Sequence, residues 1–413
     1  MKKNQFDTII IGAGASGLFA AIEASSKGGR VLIIERMKSP GKKILATGNG
    51  KCNLTNLDMK EEYYRGSASR LALFAVSEMP PDKLRRYFYR FGLNTIERNG
   101  YVYPVTEQAK TVVSILLREI KKRGVLIHLE EELKQILPAG DHSYQLHTDR
   151  AVYKAKNIVL SCGGCAYPSL GSNGSGYAIL EKLKIAVTKP LPALTALCTP
   201  KKEMKSLSGV RTKGALLLIC EGKKLGWEKG EVQFTNYGIS GIPVFSLSRF
   251  AVNEIERGKK VTAFFDFYPE QTVTELRKIL RDFRKIRDIT VMEVLEGLVH
   301  EKWCPVLLKE AKITAGHEKA SSLPEKDWDR LLHLLKEYPI PVNGYRDFDF
   351  AQVSQGGVKG SELTNEMEVK KYQGLYLTGE IVDVDGICGG YNLTWAFASG
   401  YLAGRAIASK QGK

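Results

Sequence analysis

The sequence predicts an α/β fold in which both ends of the chain build one domain and the middle forms inserted subdomains. Three observations predict it. A β-branched run, a glycine-rich turn and a helical pattern open the chain, a second strand, glycine cluster and helix close it, and the residues between change in character. A length of 413 residues suits two or three domains, and 43% hydrophobic residues suffice to bury their cores.

The first forty residues have the pattern of a βαβ unit. Residues 7–11 are a run rich in β-branched side chains, which is typical of a strand buried on both faces. The turn Gly12-Ala13-Gly14-Ala15-Ser16-Gly17 and a helical pattern of small and apolar residues follow. A second strand ends at Glu35, 18 residues after Gly17. This is the dinucleotide-binding fingerprint in its strand, turn and helix context, and it predicts a Rossmann-like domain.

Each residue of the fingerprint has a physical role. Gly12 makes the tight turn, Gly14 lets the backbone approach a pyrophosphate, and Gly17 lets the helix pack closely on the strand. The pyrophosphate would lie at the helix N-terminus, where free N–H groups and the helix dipole favour an anion. Glu35 would accept hydrogen bonds from the ribose hydroxyls, and an acid there disfavours a 2′-phosphate. The fingerprint alone does not distinguish NAD from FAD.

The last sixty residues carry a second strand, glycine turn and helix. Residues 375–377 form a short apolar strand that leads into Gly379 and Glu380, and the glycine cluster at 386–390 precedes a helix that opens at Tyr391. In flavoproteins such a strand brings a carboxylate to the ribityl chain and pyrophosphate, and the following helix directs its N-terminus at the flavin pyrimidine edge. FAD fits better than NAD, because the cofactor must be long enough to reach both chain ends.

Three long segments carry a resemblance to a known family. They are PGKKILATGNGKCNLTN, GEVQFTNYGISGIPVFSLSR and GLYLTGEIVDVDGICGGYNLTWAFASG. The whole chain resembles the BaiN-type flavoproteins, a bacterial family of FAD-dependent oxidoreductases that includes aminoacetone oxidases and a bile-acid intermediate reductase. The resemblance implies that residues 41–56 wrap a non-covalent FAD, with Lys42 and Lys43 near a phosphate or the flavin edge. A loop this polar stays ordered in an interior only when a polar ligand satisfies it.

The fingerprint, the C-terminal motif and the resemblance together predict one set of cofactor-binding residues. Catalytic residues are not assigned, because the histidines fall outside every motif, and no metal site is predicted. The predicted cofactor-binding residues are Gly12, Gly14, Ala15, Ser16, Gly17, Glu35, Arg36, Lys42, Lys43, Thr47, Gly48, Asn49, Gly50, Lys51, Cys52, Asn53, Leu133, Cys162, Gly163, Gly164, Gly379, Glu380, Gly389, Gly390, Tyr391 and Asn392.

The seven cysteines do not form a disulfide framework, and we expect a reducing, cytoplasmic location. Cys162-x-x-Cys165 has the spacing of a redox dithiol. Its context, a strand that ends in a glycine turn, favours contact with FAD instead, and in the family resembled these positions commonly hold small hydroxyl residues. A second dinucleotide fingerprint is absent from the sequence, so NAD(P)H would dock transiently or would not be used.

The change of character along the chain predicts three parts. Residues 1–190 and 344–413 would form a discontinuous FAD-binding domain with a Rossmann-like fold. Residues 191–270, with possible return strands before 344, would form a β-barrel-like subdomain that caps the substrate. Residues 271–343, with their amphipathic periodicity, would form a helical subdomain.

The predicted function is that of an FAD-dependent oxidoreductase in which flavin N5 exchanges a hydride with a small organic substrate. One alternative is NAD(P)H-linked reduction of an activated C=C bond, as in a bile-acid or steroid-like enone. Another is oxygen-using oxidation of an amine or aminoketone such as aminoacetone. A third class, an FAD-binding RNA-modifying protein, stays open because the net charge is +16. The charges are scattered, however, so we expect no nucleic-acid partner and no membrane contact, and the oligomeric state is open.

Overall fold

The computed structural model describes residues 4–140, 142–314 and 316–411. The chain divides into two compact units: unit 1 comprises Met1–Pro192 and Ala351–Lys413, and unit 2 comprises Ala193–Phe350. The strands, in chain order, are β1 (Gln5–Ile11), β2 (Val31–Glu35), β3 (Thr55–Asn56), β4 (Tyr64–Arg65), β5 (Thr95–Arg98), β6 (Tyr101–Pro104), β7 (Leu126–Leu129), β8 (Leu133–Ala139), β9 (Ser143–Thr148), β10 (Val152–Leu160), β11 (Val187–Ala193), β12 (Leu197–Cys198), β13 (Arg211–Cys220), β14 (Lys223–Thr235), β15 (Gly238–Ser240), β16 (Val261–Asp266), β17 (Tyr338–Val342), β18 (Gly344–Tyr345), β19 (Val353–Val358), β20 (Leu375–Leu377) and β21 (Asp385–Gly386). The α-helices are α1 (Ala15–Ala24), α2 (Lys42–Ala46), α3 (Ser69–Glu78), α4 (Pro81–Arg90), α5 (Ala109–Lys122), α6 (Ser175–Lys182), α7 (Ile242–Glu256), α8 (Val273–Phe283), α9 (Val291–Glu296), α10 (Trp303–Glu310), α11 (Glu325–Lys336) and α12 (Tyr391–Gln411).

The main sheet of unit 1 has the strand order β7-β2-β1-β10-β9-β8, and β20 also pairs with β10. Strands β2, β1, β10 and β20 run parallel, and their register aligns Ile11 with both Ile34 and Leu160, and Leu160 with Leu377. The carboxyl ends of these four strands therefore share one edge of the sheet. In α/β sheets of this kind, ligands bind outside that edge. The predicted α/β class with a Rossmann-like parallel sheet is confirmed.

The first and last helices of the chain pack on each other in the core of unit 1. The rings of Phe19 in α1 and Phe397 in α12 lie 4.5 Å apart, centroid to centroid. The two helices approach so closely at Gly400 that a Cβ there would collide with the carbonyl oxygen of Ser16. This contact explains why both chain ends build one unit. Over the described ranges, no helix combines the length and the apolar composition that crossing a bilayer demands.

Unit 2 is built on an antiparallel sheet with the order β17-β16-β13-β14-β15-β12-β18. Before residue 344 the chain returns to this sheet as β17, which forms one edge, and β18, which starts at residue 344, forms the other. Helix α7 begins at Ile242, within a segment that the sequence analysis left without a helix. Gly241 and Pro243 are the reason, because they usually indicate a turn, whereas proline in the first turn of a helix is well tolerated.

The helices of residues 273–336 share one core with the sheet of unit 2 and do not form a compact unit of their own. Trp303 of α10 is fully buried. Its ring contacts Phe234, Phe267 and Tyr338 edge-on, at centroid distances of 4.7, 4.9 and 4.9 Å. This aromatic cluster connects the predicted β and helical parts. Each part contributes rings that are buried against rings of the other.

Candidate active site

A cleft opens at the carboxyl edge of the parallel strands of unit 1. Residues that directly follow β1, β2 and β10 form part of its wall, namely Gly12, Arg36 and Ser161. Glu380 and Asn392 add the C-terminal part of the chain to the same wall. The cleft therefore joins the two glycine-rich motifs that the sequence analysis singled out.

About half of the predicted cofactor-binding residues line this cleft, and the others do not. Those that line it are Gly12, Gly14, Ala15, Ser16, Glu35, Arg36, Lys42, Lys43, Thr47, Leu133, Cys162, Gly163, Glu380 and Asn392. Those that do not are Gly17, Gly48, Asn49, Gly50, Lys51, Cys52, Asn53, Gly164, Gly379, Gly389, Gly390 and Tyr391.

In the first glycine turn, Gly12 and Gly17 pack tightly against backbone atoms, whereas Gly14 faces open space. Gly12 has φ +103°, and a Cβ there would lie 2.5 Å from the carbonyl oxygen of Ser161. A Cβ at Gly17 would collide with the carbonyl oxygen of Gly12, so both positions exclude a side chain for internal reasons. At Gly14, by contrast, a Cβ would meet no atom within 4 Å. The space above Gly14 belongs to the cleft, and it leaves room for a ligand close to the backbone.

Glu35 is held in place at the end of β2 by backbone amides. Its Oε2 accepts a hydrogen bond from the Ala13 amide at 2.8 Å, and its Oε1 accepts one from the Met37 amide at 2.8 Å. A carboxylate has further lone pairs, so this one can still accept a donor from the cleft. The neighbouring Arg36 has a buried Nη1 without a hydrogen-bond partner among the described residues. Both side chains therefore offer unused hydrogen-bonding capacity at one end of the cleft.

Lys43 and Glu380 form an ion pair on the cleft wall, with 2.6 Å between Nζ and Oε2. The Lys43 ammonium also donates to the carbonyl oxygen of Ala166 at 3.1 Å, and the other carboxylate oxygen of Glu380 accepts from the Ser354 amide at 2.8 Å. These two residues thus neutralise each other. Lys42 makes no ion pair with any described residue and lines the cleft as a free cation.

The loop at 47–53 folds back on itself through left-handed backbone. Asn49 has φ 54° and Cys52 has φ 59°, and the Cys52 amide donates to the carbonyl oxygen of Thr47 at 3.0 Å. Lys51 turns away and pairs with Glu107 at 3.0 Å. Asn53 is only 8% exposed, and no residue that the structure describes donates a hydrogen bond to its Oδ1. This tight course explains why, of this loop, Thr47 alone lines the cleft.

The N-terminus of α12 is held against the late glycine turns. Asn392 Oδ1 accepts from the Gly386 amide at 2.8 Å, and its Nδ2 donates to the Gly386 carbonyl at 2.9 Å. Trp395 donates from Nε1 to the carbonyl oxygen of Gly379 at 3.1 Å. The first N–H groups of a helix have no acceptor within the helix. Because Asn392 and Leu393 line the cleft, this helix end can present a partial positive charge to a ligand there.

Cys162 and Cys165 are both free thiols. Burial raises the pKa of Cys162 to about 12. Burial, aided by the charge of Glu380, raises the pKa of Cys165 to about 11. Dithiol redox chemistry proceeds through a thiolate, which these environments disfavour at neutral pH. The two cysteines therefore fit the role of small buried side chains beside the cleft better than that of a redox pair.

The sequence analysis missed some cleft residues. Ser161 directly follows β10, and its Oγ lies 2.7 Å from the Oγ1 of Thr378. Glu131 is 3% exposed and accepts hydrogen bonds from Thr148 at 2.6 Å and Tyr153 at 3.2 Å. The position of Ser161 directly after a buried strand was a usable signal. Glu131 gave none, because it belongs to no motif and both Thr148 and Tyr153 are distant in the sequence.

The cleft has the properties that a bound dinucleotide requires. It offers open space above the glycine turn at Gly14, an unpaired cation at Lys42, and a buried Arg36 Nη1 without a partner. Asn53 Oδ1, buried close to Gly390, also lacks a donor. Orphaned buried groups are costly unless a ligand satisfies them. The residues present therefore fit FAD, and they define the class of the protein as a dinucleotide-binding flavoprotein.

Comparison with known proteins agrees with this class. The model of the HI0933-like protein Rossmann domain matches residues 6–406. The 3-dehydro-bile acid delta(4,6)-reductase of Clostridium scindens is 38% identical over 405 residues, which cover 97% of this chain and 98% of the relative. The chain belongs to the HI0933-like, BaiN-type family of flavoproteins and is an FAD-dependent oxidoreductase, so the resemblance seen in its sequence is confirmed.

Two further comparisons bear on substrate and fold. The ribosomal RNA dihydrouridine synthase of Escherichia coli is 28% identical over 410 residues, which cover 98% of each chain. The structure of 3-ketosteroid delta1-dehydrogenase from Sterolibacterium denitrificans superposes with a TM-score of 0.55 at 12% identity and covers 99% of this chain and 100% of that chain. The structural likeness supports the fold.

Proposed function

We propose that this protein uses FAD to reduce a carbon–carbon double bond conjugated with a carbonyl group. One observation carries the proposal: two full-length relatives are named for that chemistry. A 3-dehydro-bile acid with double bonds at positions 4 and 6 has those bonds conjugated with its 3-oxo group. Dihydrouridine is uridine whose ring double bond, conjugated with a carbonyl, has been reduced. The shared element is the activated C=C bond.

The residues of the cleft would bind the cofactor and leave the chemistry to it. Gly14 leaves space for the diphosphate, which Lys42 would bind as a cation, and Glu35 would accept the hydroxyls of the adenosine ribose. The helix end at Asn392 would favour negative charge on the flavin pyrimidine. Bound FAD supplies hydride transfer at N5. The protein's contribution is thus positioning and electrostatic stabilisation.

We propose a steroid-like enone as the first substrate class, because the bile-acid reductase is the more similar of the two relatives at 38% identity. The test is anaerobic mixing of the FAD-loaded protein with NADH or NADPH, followed by a 3-oxo-4,6-diene bile acid. We expect one nicotinamide to bleach the visible flavin absorbance and the dienone to restore it while its own ultraviolet absorbance falls. If the dienone does not restore the flavin absorbance but oxygen does, and if the protein forms peroxide from aminoacetone, the protein would instead be an amine oxidase.

RNA is a second candidate substrate, and two observations favour it. The dihydrouridine synthase relative matches along its full length, and the chain carries a net charge of +16. A basic protein attracts a phosphate backbone, and such binding weakens steeply with salt. The test is incubation of ribosomal RNA from cells lacking the gene with the reduced protein, followed by mass spectrometry of the nucleosides. New dihydrouridine would support this candidate, and an unchanged nucleoside profile beside active enone reduction would remove it.

A further inference from the structure

Unit 2 carries an arginine stacked on two aromatic rings. The Cζ atom of Arg346 lies 3.5 Å from the centroid of the Phe350 ring and 4.9 Å from that of Tyr237. Phe350 is 53% exposed. A guanidinium stacks through its flat face, whereas its N–H donors point outward in its plane. Stacking therefore leaves the donor edge of Arg346 available.

The backbone on both sides of this cluster is anchored to one short segment, residues 195–199. The Arg346 amide donates to the Ala196 carbonyl at 2.9 Å, and the Thr195 hydroxyl donates to the Arg346 carbonyl at 2.8 Å. The Thr199 amide donates to the Tyr237 carbonyl at 3.0 Å. The backbone that carries the cation and one of its rings is thus held in place before any ligand arrives. Such preorganisation lowers the entropy lost on binding.

Arg346 makes no ion pair with any carboxylate of the described residues. Its neighbour Asp347 uses its Oδ1 to accept from the Asp349 amide at 3.2 Å. Other arginines of unit 2 do pair with acids, for example Arg211 with Glu231 at 2.9 Å. An arginine that is stacked, anchored and without an acid is suited to a bidentate oxyanion.

We propose that Arg346, Tyr237 and Phe350 form an oxyanion-binding site that takes the carboxylate or phosphate of a ligand. Arg346 would donate two hydrogen bonds to the anion, and the exposed Phe350 ring would contact the apolar or planar group that the anion is attached to. The inference rests on the proposed function for its choice of ligands. A bile-acid carboxylate and an RNA phosphate share this chemistry, and the experiment separates them.

The experiment measures equilibrium binding to the full-length, FAD-loaded, oxidised protein without a reductant. The probes are cholate, methyl cholate and a short oligouridylate. We expect one anionic probe to bind, and Arg346→Met to weaken its binding about tenfold or more, since hydrogen bonds to charged groups are strong. Arg346→Lys should retain part of the affinity, because it keeps the positive charge but loses the planar pair of donors that binds an oxyanion in a bidentate manner. The matched control is Arg287→Met, which removes one charge from a side chain that is 97% exposed.

Each outcome decides the matter. Cholate binding that is lost in methyl cholate and in Arg346→Met assigns a carboxylate, and oligouridylate binding that is lost in the same variant assigns a phosphate. The proposal is overturned if neither anion binds, if Arg346→Met and Arg287→Met bind alike, or if methyl cholate binds as tightly as cholate and oligouridylate does not bind. If Arg346→Met fails to fold, Phe350→Ala, which removes the exposed ring, is used in its place. We expect this variant to bind the anionic probe several-fold more weakly. If the protein binds the anion through Arg346 but shows no reductase turnover, the oxyanion site is supported and only the proposed function is rejected.

Discussion

The ammonium group of Lys43 lies 2.6 Å from Oε2 of Glu380, although 337 positions separate the two residues in the sequence. Their side chains are 23% and 17% exposed, so the pair is partly shielded from solvent. It ties α2, which follows the second strand, to the turn that follows β20. The sequence analysis placed both charges at the cofactor but did not foresee that they neutralise each other.

We expect Lys43→Met and Glu380→Gln each to weaken FAD binding and to lower the melting temperature, because either change leaves a partly buried charge without its partner. Each single variant should lose about 1 to 2 kcal/mol of unfolding free energy. This is less than for a fully buried ion pair, because both side chains remain partly exposed to solvent. The double variant should lose less than the sum of the two single variants. Isothermal titration with FAD and thermal denaturation of all four proteins measure this, and strictly additive losses would contradict a coupled pair.

The parallel sheet and its glycine turn could be predicted from the sequence because both are local patterns. A β-branched run followed by glycines at fixed spacing specifies the strand, the turn and the helix without reference to the rest of the chain. Glu35 follows from the same logic, since its position at the end of the second strand is a matter of spacing. The amphipathic helices α8, α9 and α11 also followed from periodicity alone.

The ion pair of Lys43 and the core around Trp303 could not be predicted, for a different reason. Periodicity states that a helix has an apolar face but not which surface covers it, so the helices of unit 2 were assigned a separate subdomain. Charge pairing between distant segments leaves no local pattern at all. The loop at 47–53 was assigned to the cofactor as a whole, because composition does not reveal the left-handed turns that direct Lys51 away from the cleft.

Substitution of Gly14 should separate folding from cofactor binding. Its backbone has φ −83° and ψ −170°, which any residue can adopt, and a Cβ would meet no protein atom within 4 Å. Gly14→Val should therefore fold normally but fail to bind FAD, because its methyl groups occupy the space of the diphosphate. Circular dichroism and the flavin absorbance of the purified protein measure the two properties. Gly12→Val is the contrasting variant, since its Cβ would meet Ser161 and impair folding itself.

Glu35 should discriminate between flavin nucleotides. If its carboxylate accepts the hydroxyls of the adenosine ribose, Glu35→Ala should weaken FAD binding by roughly tenfold to a hundredfold, in line with the loss of charge-assisted hydrogen bonds. FMN lacks the adenosine, so its affinity should be almost unchanged. Fluorescence titration of wild type and variant with both nucleotides tests this. An equal loss for FAD and FMN would mean that Glu35 acts only by holding the Ala13 and Met37 amides.

Alkaline pH should destabilise the protein through its buried thiols. Burial raises the pKa of Cys52 from 9.0 to about 12, so the folded state keeps this thiol neutral while the unfolded chain ionises near its ordinary value. The contribution of Cys52 is thus fully present below pH 9.0 and is lost as the pH rises toward about 12. For one thiol, the unfolding free energy should fall by up to about 1.4 kcal/mol per pH unit in this range. Chemical denaturation from pH 8 upward should show a smaller slope in Cys52→Ala, and equal slopes in the two proteins would contradict the assignment.

Asn53 should affect the free protein and the flavin complex in opposite directions. Its buried Oδ1 has no partner in the protein, and an unsatisfied buried acceptor costs about 1 to 3 kcal/mol. Asn53→Leu keeps the number and branching of the side-chain heavy atoms and removes that acceptor, so we expect the FAD-free protein to melt at a higher temperature. If a flavin N–H or ribityl hydroxyl normally satisfies Oδ1, the same change should weaken FAD binding about tenfold. Asn365→Leu, at an exposed position outside the left-handed backbone region, is the control and should alter neither quantity. A variant that is less stable without FAD, or that binds FAD as tightly as the wild type, would show that Asn53 does not contact the cofactor.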